Sequence, residues 1–336
     1  MALHIPSPPV NGFYIGPAFI HIYGLMYVVG ITLAILITQR RWKAVGGDPS
    51  LVGDVAIWSV PAGIVGGRIY FDITTPQYIP HHWYGVFAVW DGGLGIWGGI
   101  ALAAAVGAWR VRRHGADVSQ FMDAVAPALL VAQAVGRIGN YFNKELFGGP
   151  TSLPWGLAVP YGYRPAGFRA DPYFHPTFLY ELIFNLLLAA ALVWLGHHRA
   201  VRPPGLFALY VAGYSAFRIF EESLRVDPSE HFLGLRLNMY VASVLTVVGL
   251  VWFWRSQRRA RAVPAGPAGD GAEGGQADGG GADGSTAEGG KADAGKAGAG
   301  PAAEAAGVTA APGDAPLAQV PGQRPGSAGD SPGGRP

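Results

Sequence analysis

The sequence predicts an all-α, polytopic membrane protein with seven transmembrane helices and a disordered C-terminal tail. Three observations carry this. Hydrophobic residues make up 50% of the chain and charged ones 14%, against roughly 25% charged in an average soluble protein. The apolar residues gather into seven stretches, and basic residues crowd behind every second one. From residue 264 onward the chain changes to Gly, Ala, Pro, Asp and Glu, with almost no large apolar side chains.

The stretches set the element order. Pro17–Thr38 has 22 residues without Lys, Arg, Asp or Glu, and Gly92–Trp109 and Leu237–Trp254 have 18 each. A bilayer core needs roughly 20 residues of helix, so these three are the strongest spans. Leu51–Phe71 is interrupted by Asp54 and Arg68. Val118–Gly136 carries Asp123, Thr177–Gly196 carries Glu181 and Pro204–Phe220 carries Arg218. Any one of these four reads as well as a buried soluble helix; seven such stretches in one chain do not.

The loops give the orientation. Span 1 is followed by Arg40, Arg41 and Lys43, and span 3 by Arg110, Arg112 and Arg113. Arg199 and Arg202 follow span 5, and Arg255, Arg258, Arg259 and Arg261 follow span 7. The segment before span 1 and the loop 72–91 have no Lys or Arg. Segment 137–176 has Arg137, Lys144, Arg164 and Arg169, and 221–236 has Arg225 and Arg236. The positive-inside rule reads this as N-terminus outside and C-terminus cytoplasmic, a parity that seven spans satisfy. No basic region precedes span 1 and no small-residue cleavage site follows it, so span 1 is expected to stay in place.

Residues 1–262 form the membrane domain. The tail 263–336 has nine acidic residues against Lys291, Lys296, Arg324 and Arg335, a balance of −5; the chain totals +2, so the rest carries +7. The tail has too little apolar surface to offset its ordering entropy and is expected to be disordered in the cytoplasm. The basic charges of the core alternate with apolar spans instead of forming one patch, which points to a lipid bilayer and excludes a nucleic-acid partner. No internal repeat of the kind found in many transporters is present.

Cysteine is absent. That excludes disulfides, thiolate metal sites and a cysteine nucleophile, so any sulfur chemistry must use a thiol from another molecule. The pairs His81-His82 and His197-His198 have no further His or carboxylate at ligand spacing, so no metal is expected. No organic cofactor is expected either.

Ionisable groups inside a membrane protein mark function by default, and here they gather at the outer side. After span 4 the chain reads Gly136-Arg137-Ile138-Gly139-Asn140-Tyr141-Phe142-Asn143-Lys144-Glu145-Leu146-Phe147-Gly148-Gly149. Continued as helix, this puts Arg137, Asn140 and Lys144 on one face, and its glycines let backbone approach a ligand. The bland alternative is an arginine snorkelling to headgroups. Tyr214, Arg218, Glu222 and Arg225 fall within about 80° of one helix face. They read either as an anion grip with Glu222 orienting an arginine or as a structural Arg218–Glu222 ion pair. His21 and Tyr23 sit early in span 1, and His175-Pro176 and Tyr180-Glu181 open span 5. Arg68 and Asp72 most simply pair with each other, and Asp123 is structural. Arginine's planar fork suits phosphate, and the phosphate native to that place is a phospholipid headgroup.

Four blocks together resemble one family. Arg137-Ile138-Gly139-Asn140-Tyr141-Phe142-Asn143 with Glu145 is similar to the signature of prolipoprotein diacylglyceryl transferases. So are His21-Ile22-Tyr23-Gly24-Leu25-Met26-Tyr27, His175-Pro176 with Leu179-Tyr180-Glu181, and Tyr214-Ser215-Ala216-Phe217-Arg218 with Glu222 and Arg225. Order and separation agree over about residues 12–256. The resemblance implies an inner-membrane enzyme that moves the diacylglyceryl group of phosphatidylglycerol to the lipobox cysteine of a preprolipoprotein signal peptide. A thioether forms and glycerol phosphate leaves. It makes Arg137 the phospholipid-binding arginine, with Asn140, Glu145 and Gly148 as companions, and makes Tyr23 and Arg218 essential. Gly139, Asn143, Tyr214, Glu222, Arg225 and His175 then complete the phosphatidylglycerol site.

One position departs from the family. Where it often has Phe-His-Gly-Gly after a Trp-x-Gly-Gly segment, this chain has Ile96-Trp97-Gly98-Gly99, and the indole of Trp97 is a donor only. The catalytic set expected is therefore Arg137, Arg218 and Tyr23, with His21, His175 or Glu145 as alternatives for taking the thiol proton. The rival reading, an anionic-lipid transporter or flippase, would use the same arginines without reaction.

Overall fold

The computed structural model describes residues 4–79, 82–226, 231–232 and 234–258. The tail 263–336 lies outside these residues, as do Arg259, Arg261 and His81. Among the described residues seven long helices account for the apolar stretches in order. They are α1 (Ile22–Ala44), α2 (Pro49–Thr74), α3 (Ile96–Arg113), α4 (Val118–Asn143), α5 (Thr177–His198), α6 (Gly205–Leu224) and α7 (Leu237–Arg258).

Five of them, α1, α2, α4, α5 and α7, are long and apolar enough to cross a membrane by length and composition. The other two fall short for visible reasons. α3 starts four residues later than its apolar stretch, because Gly92 and Gly93 hold positive φ, and its last turn carries three arginines. α6 carries Arg218, Glu221 and Glu222 in its last two turns. Large apolar side chains point outward along the long helices, among them Ile57, Ile64 and Ile69 on α2 and Val244, Val247 and Val251 on α7. An apolar exterior of this extent suits a lipid solvent and not water.

Helices meet through small residues, as expected where lipid offers no hydrophobic drive to associate. A Cβ at Gly66 would lie 2.4 Å from the carbonyl of Gly98, and one at Gly249 would lie 2.7 Å from the backbone of Ala212. These close approaches join α2 to α3 and α6 to α7. α4 is the central helix, packing on α1, α5 and α6 and burying Ala126, Ala128, Leu130 and Ala134.

One end of the bundle is tied by simple pairs. Asp54 at the start of α2 takes Arg110 of α3 through two bonds of 2.8 and 2.6 Å. Arg41 donates to the carbonyls of Asp123 and Ala124. The Asp123 carboxylate accepts from the backbone N–H of Phe207 at 2.9 Å, satisfying an orphan donor at the start of α6. Asp48 and Asp117 cap α2 and α4, and the hydrogen bonds to Ser50 hold the Asp48 carboxyl below its ordinary pKa.

The other end carries the irregular segments. Strand β1 (Ile5–Pro6) pairs parallel to β4 (Leu157–Ala158), which pairs antiparallel to β5 (Tyr173–Phe174). This sheet closes a small core of Phe147, Leu157, Val159 and Phe174. A hairpin of β2 (Gly12–Ile15) and β3 (Ala18–His21) runs straight into α1. Arg68 does more here than pair with Asp72. Besides that 3.1 Å contact it donates to the carbonyls of Gly85, Val86, Ala88, Gly92 and Gly93. One buried guanidinium thus ties the segment before α3 to α2.

Candidate active site

The irregular end is also where the buried charges converge. α4 stays helical through the motif to Asn143, which brings Arg137 and Asn140 to one face. Arg137 donates to Asn140 Oδ1 at 3.2 Å and meets Glu181 Oε2, at the start of α5, at 2.5 Å. Arg218 of α6 reaches the same Glu181 oxygen at 3.5 Å. Its two terminal nitrogens also meet Glu221 at 2.5 Å and Glu222 at 3.0 Å. Tyr214 donates its hydroxyl to Glu181 Oε1 at 3.1 Å. Two arginines from different helices are therefore drawn around one carboxylate oxygen.

Burial orders the cluster. The side chains of Glu181, Glu221 and Glu222 are 1% exposed, whereas those of Arg137 and Arg218 are 15% and 19% exposed. The carboxylates lie behind and the cations in front. The carboxylates offset the cost of burying two guanidinium groups and use only part of each five-donor fork. What faces outward is a pair of oriented cationic donors, a geometry that binds an anion.

The motif loop is fixed separately. Glu145 Oε1 accepts from Asn140 at 3.0 Å and from Asn143 at 3.2 Å. The turn uses positive φ at two non-glycine residues, Lys144 (57°) and Leu146 (55°). Such backbone costs on the order of 1–3 kcal/mol per residue and persists only when its surroundings over-determine it. Here Thr177 Oγ1 donates to the Leu146 carbonyl, and Gly148 N–H donates to the His175 carbonyl. The turn corrects one expectation: Lys144 leaves the helix at its left-handed cap and does not share the face of Arg137. Its ammonium sits over the Tyr163 ring instead, 4.9 Å from the centroid.

Gly139 and Gly148 make close approaches to protein groups. A Cβ at Gly139 would lie 2.3 Å from the Tyr23 ring, and one at Gly148 would lie 2.8 Å from His175 and 3.0 Å from the Leu224 carbonyl. Tyr23 is thereby seated against α4 at Gly139, with its hydroxyl 2.9 Å from that of Tyr27. Gly148 is the junction of three segments, since it also bridges to Arg225.

Arg225 does not continue the α6 stripe, which the sequence spacing predicted. The helix ends at Leu224 and Arg225 is extended, paired with Gly148 through backbone. The expected Arg218–Glu222 ion pair is present. His21 precedes α1, exposed at the end of β3, its ring edge-on to Phe19. His175 is partly buried; Nδ1 lies 3.2 Å from the Tyr180 hydroxyl, and burial pushes the imidazole pKa down. Trp97 stands in the first turn of α3, 43% exposed.

Three functional candidates lie outside the site residues read from sequence, Glu221, Arg236 and Asn238, and Glu181, noted there at the start of span 5, takes a larger part than expected. Glu181 did leave a signal, as the one charge in an apolar stretch. Arg236 and Asn238 left none, because they reach Glu222 only after the chain has turned back. Among the described residues no three His, Cys, Asp or Glu side chains gather as metal ligands.

A convergent arginine pair of this kind would serve any phosphate-binding membrane protein; comparison with known proteins narrows it. The family model for prolipoprotein diacylglyceryl transferase matches residues 11–255. This chain belongs to that family. It is 44% identical over 266 residues to the phosphatidylglycerol–prolipoprotein diacylglyceryl transferase of Bifidobacterium adolescentis, covering 74% of this chain and 79% of the relative. A Streptomyces coelicolor transferase of the same name, numbered 2, is 46% identical over 258 residues, with the same coverage. The Rhodococcus jostii enzyme is 42% identical over 293 residues, covering 80% and 81%. The family model's match takes in α1 to α6 and α7 up to residue 255.

Proposed function

We infer that this chain is a phosphatidylglycerol–prolipoprotein diacylglyceryl transferase whose donor headgroup is held by Arg137 and Arg218. The convergence of both arginines on Glu181 Oε2 carries the assignment of the site. The reaction joins the lipobox cysteine sulfur to the glyceryl carbon that bears the phosphate. The S–C bond forms as the C–O bond breaks, and glycerol phosphate leaves with the bonding electrons. A thiol near its ordinary pKa of ~8.5 is only slightly ionised at neutral pH. A cationic site favours the thiolate and stabilises charge growing on the departing phosphate. The two arginines serve both needs from preset positions.

The companions have distinct tasks. Glu181, Glu221 and Glu222 aim the arginines. Tyr214 bonds the Glu181 carboxylate that the arginines share, Tyr23 lies against Gly139 of the motif, and Asn140, Asn143 and Glu145 fix the motif turn. Gly139 admits Tyr23, and Gly148 ties the turn to His175 and Arg225. Of the candidate proton acceptors His21, His175 and Glu145, His175 is the one that burial keeps neutral beside this junction. Glu145 already accepts two amide donors on one oxygen, and His21 stands exposed in the hairpin.

The chain crosses the bacterial cytoplasmic membrane seven times over residues 1–262, N-terminus outside and C-terminus with its tail 263–336 in the cytoplasm. The observed helix ends carry the same alternation as the loop count. Basic residues occupy the last turns of α1, α3 and α7, and His197 and His198 that of α5, while the last turns of α2, α4 and α6 have none. The helix dipole alone would draw cations to every C-terminus. Alternation is what a membrane with a cytoplasmic side imposes.

Purified protein in phosphatidylglycerol vesicles should attach a diacylglyceryl group to a lipobox peptide, read by mass spectrometry. Lipid movement between leaflets with no covalent product would sink this reading and favour the lipid carrier.

A further inference from the structure

The site has a supporting wall that neither the motif blocks nor the arginine pair accounts for. α7 follows the strands β6 (His231–Phe232) and β7 (Leu235–Arg236). At that junction Arg236 Nε donates to Glu222 Oε1 at 2.8 Å, and Asn238 Nδ2 donates to the same oxygen at 3.2 Å. The other Glu222 oxygen meets Arg218 at 3.0 Å. Arg236 also donates to the carbonyl of Arg225, at 3.0 Å. Glu222 is 1% exposed and Arg236 7%.

We propose that Arg236 and Asn238 are positioning residues for the transfer reaction, fixing Glu222 so that Glu222 fixes Arg218. The argument is one of occupancy. A buried carboxylate needs its lone pairs filled. With Oε1 taken by two donors, Arg236 at the end of β7 and Asn238 at the start of α7, Oε2 alone is left for Arg218, and the guanidinium has one place to sit. Without Arg236, both Glu222 oxygens compete for Arg218, which is then drawn toward Glu222 and away from Glu181 and Arg137. The pair loses its convergence although every motif residue is still present. The bond from Arg236 to the Arg225 carbonyl adds a second restraint, since Arg225 is the residue that bridges to Gly148. α7 is thus part of the catalytic framework and not only a membrane anchor.

This inference rests on the assignment of Arg218 to the headgroup phosphate, and the experiment separates the two. Initial rates of lipobox-peptide modification in phosphatidylglycerol vesicles are measured for Arg236→Gln, Arg236→Lys, Asn238→Ala and Glu222→Gln. Arg236→Gln/Glu222→Gln and Arg218→Lys complete the set, all normalised to folded protein in the membrane. Losing a charge-assisted bond should lower kcat for Arg236→Gln by about tenfold or more, with KM for phosphatidylglycerol within about twofold. Arg236→Lys, which keeps a donor for Oε1, should recover a large part of the loss. In the Glu222→Gln background, Arg236→Gln should cost less than about a further twofold, because the link it acts through is gone. Multiplying effects in the double variant, or a loss confined to KM, overturns the positioning role. If Arg236→Gln fails to accumulate, the same cycle run with Asn238→Ala, which removes one amide and no charge, decides it by the same criteria. An active Arg218→Lys instead removes the phosphate assignment itself.

Discussion

The arginines of the helical bundle are held in two ways, and the pair at the candidate site differs from those at the basic end and from Arg68. At the basic end, Arg110 closes on Asp54 through two bonds and lies over the rings of Trp58 and Trp109, while Arg41 ends on two backbone carbonyls. Each cation has its own partners. At the irregular end, Arg137 and Arg218 share Glu181, and Arg218 also meets two more carboxylates, one of them held from behind by Arg236. A one-to-one pair is complete in itself. Cations crowded on shared carboxylates are aligned with donors to spare. The difference teaches that a buried arginine in a membrane protein is not by itself a sign of function; convergence from separate helices is.

Substitutions can break this contrast or sharpen it. The largest effect belongs to Arg137→Ala, which removes one of the two front cations and should abolish transfer while the protein still inserts. Retention of more than about a tenth of wild-type activity would mean that Arg137 does not hold phosphate. Glu181→Gln comes next. It keeps the shape but removes the charge that gathers both arginines, so kcat should fall by about tenfold to a hundredfold. A change in KM alone would show that Glu181 serves binding and not alignment.

Arg218→Lys should be nearly as damaging, because an ammonium keeps the charge but not the planar fork that meets three carboxylates. Trp97→Phe, compared at equal membrane abundance and saturating substrates, should retain most activity: the indole is largely surface, where an aromatic ring serves the interface. A dead Trp97→Phe beside an active Arg218→Lys would place chemistry at Trp97 and misplace the phosphate.

At the basic end the expectation changes kind. Arg110→Gln should leave transfer per folded molecule unchanged and cost about 1–2 kcal/mol of stability, read as a lower Tm in detergent. A specific loss of kcat there would erase the distinction between the two ends. The smallest effect is reserved for deletion of residues 263–336, which should leave specific activity near wild type. A severe loss at matched expression would make the tail part of the enzyme.

Much of this was legible in the sequence. The seven helices follow from the seven apolar stretches, five of them long and apolar enough to cross a membrane, because a helix in lipid must satisfy its backbone internally and be apolar along its flank. The basic residues mark one end through the same solvent, which taxes charge everywhere but at the edges. Arg137, Asn140, Arg218 and Glu222 could be placed on faces because their neighbours lie three and four residues apart, and helical geometry fixes such relations locally. Lys144 and Arg225 were misplaced by that same reasoning. Each sits one residue past a helix end, where a left-handed cap and an extended bridge to Gly148 replace the helical angle.

What the sequence could not decide is which distant groups share a partner. Glu181 could be seen as a lone charge in an apolar stretch, but not as the carboxylate on which Arg137 and Arg218 meet. Arg236 could be counted as a charge in the loop before the last span, but neither it nor Asn238 could be read as the wall behind Glu222. These are contacts between helices that run past one another, and they depend on how deeply the small residues of each interface let two backbones approach. Periodicity fixes a residue's direction around its own helix. Only packing fixes the height and distance at which two helices present their charges to each other, and that decided where Arg137 and Arg218 meet on Glu181.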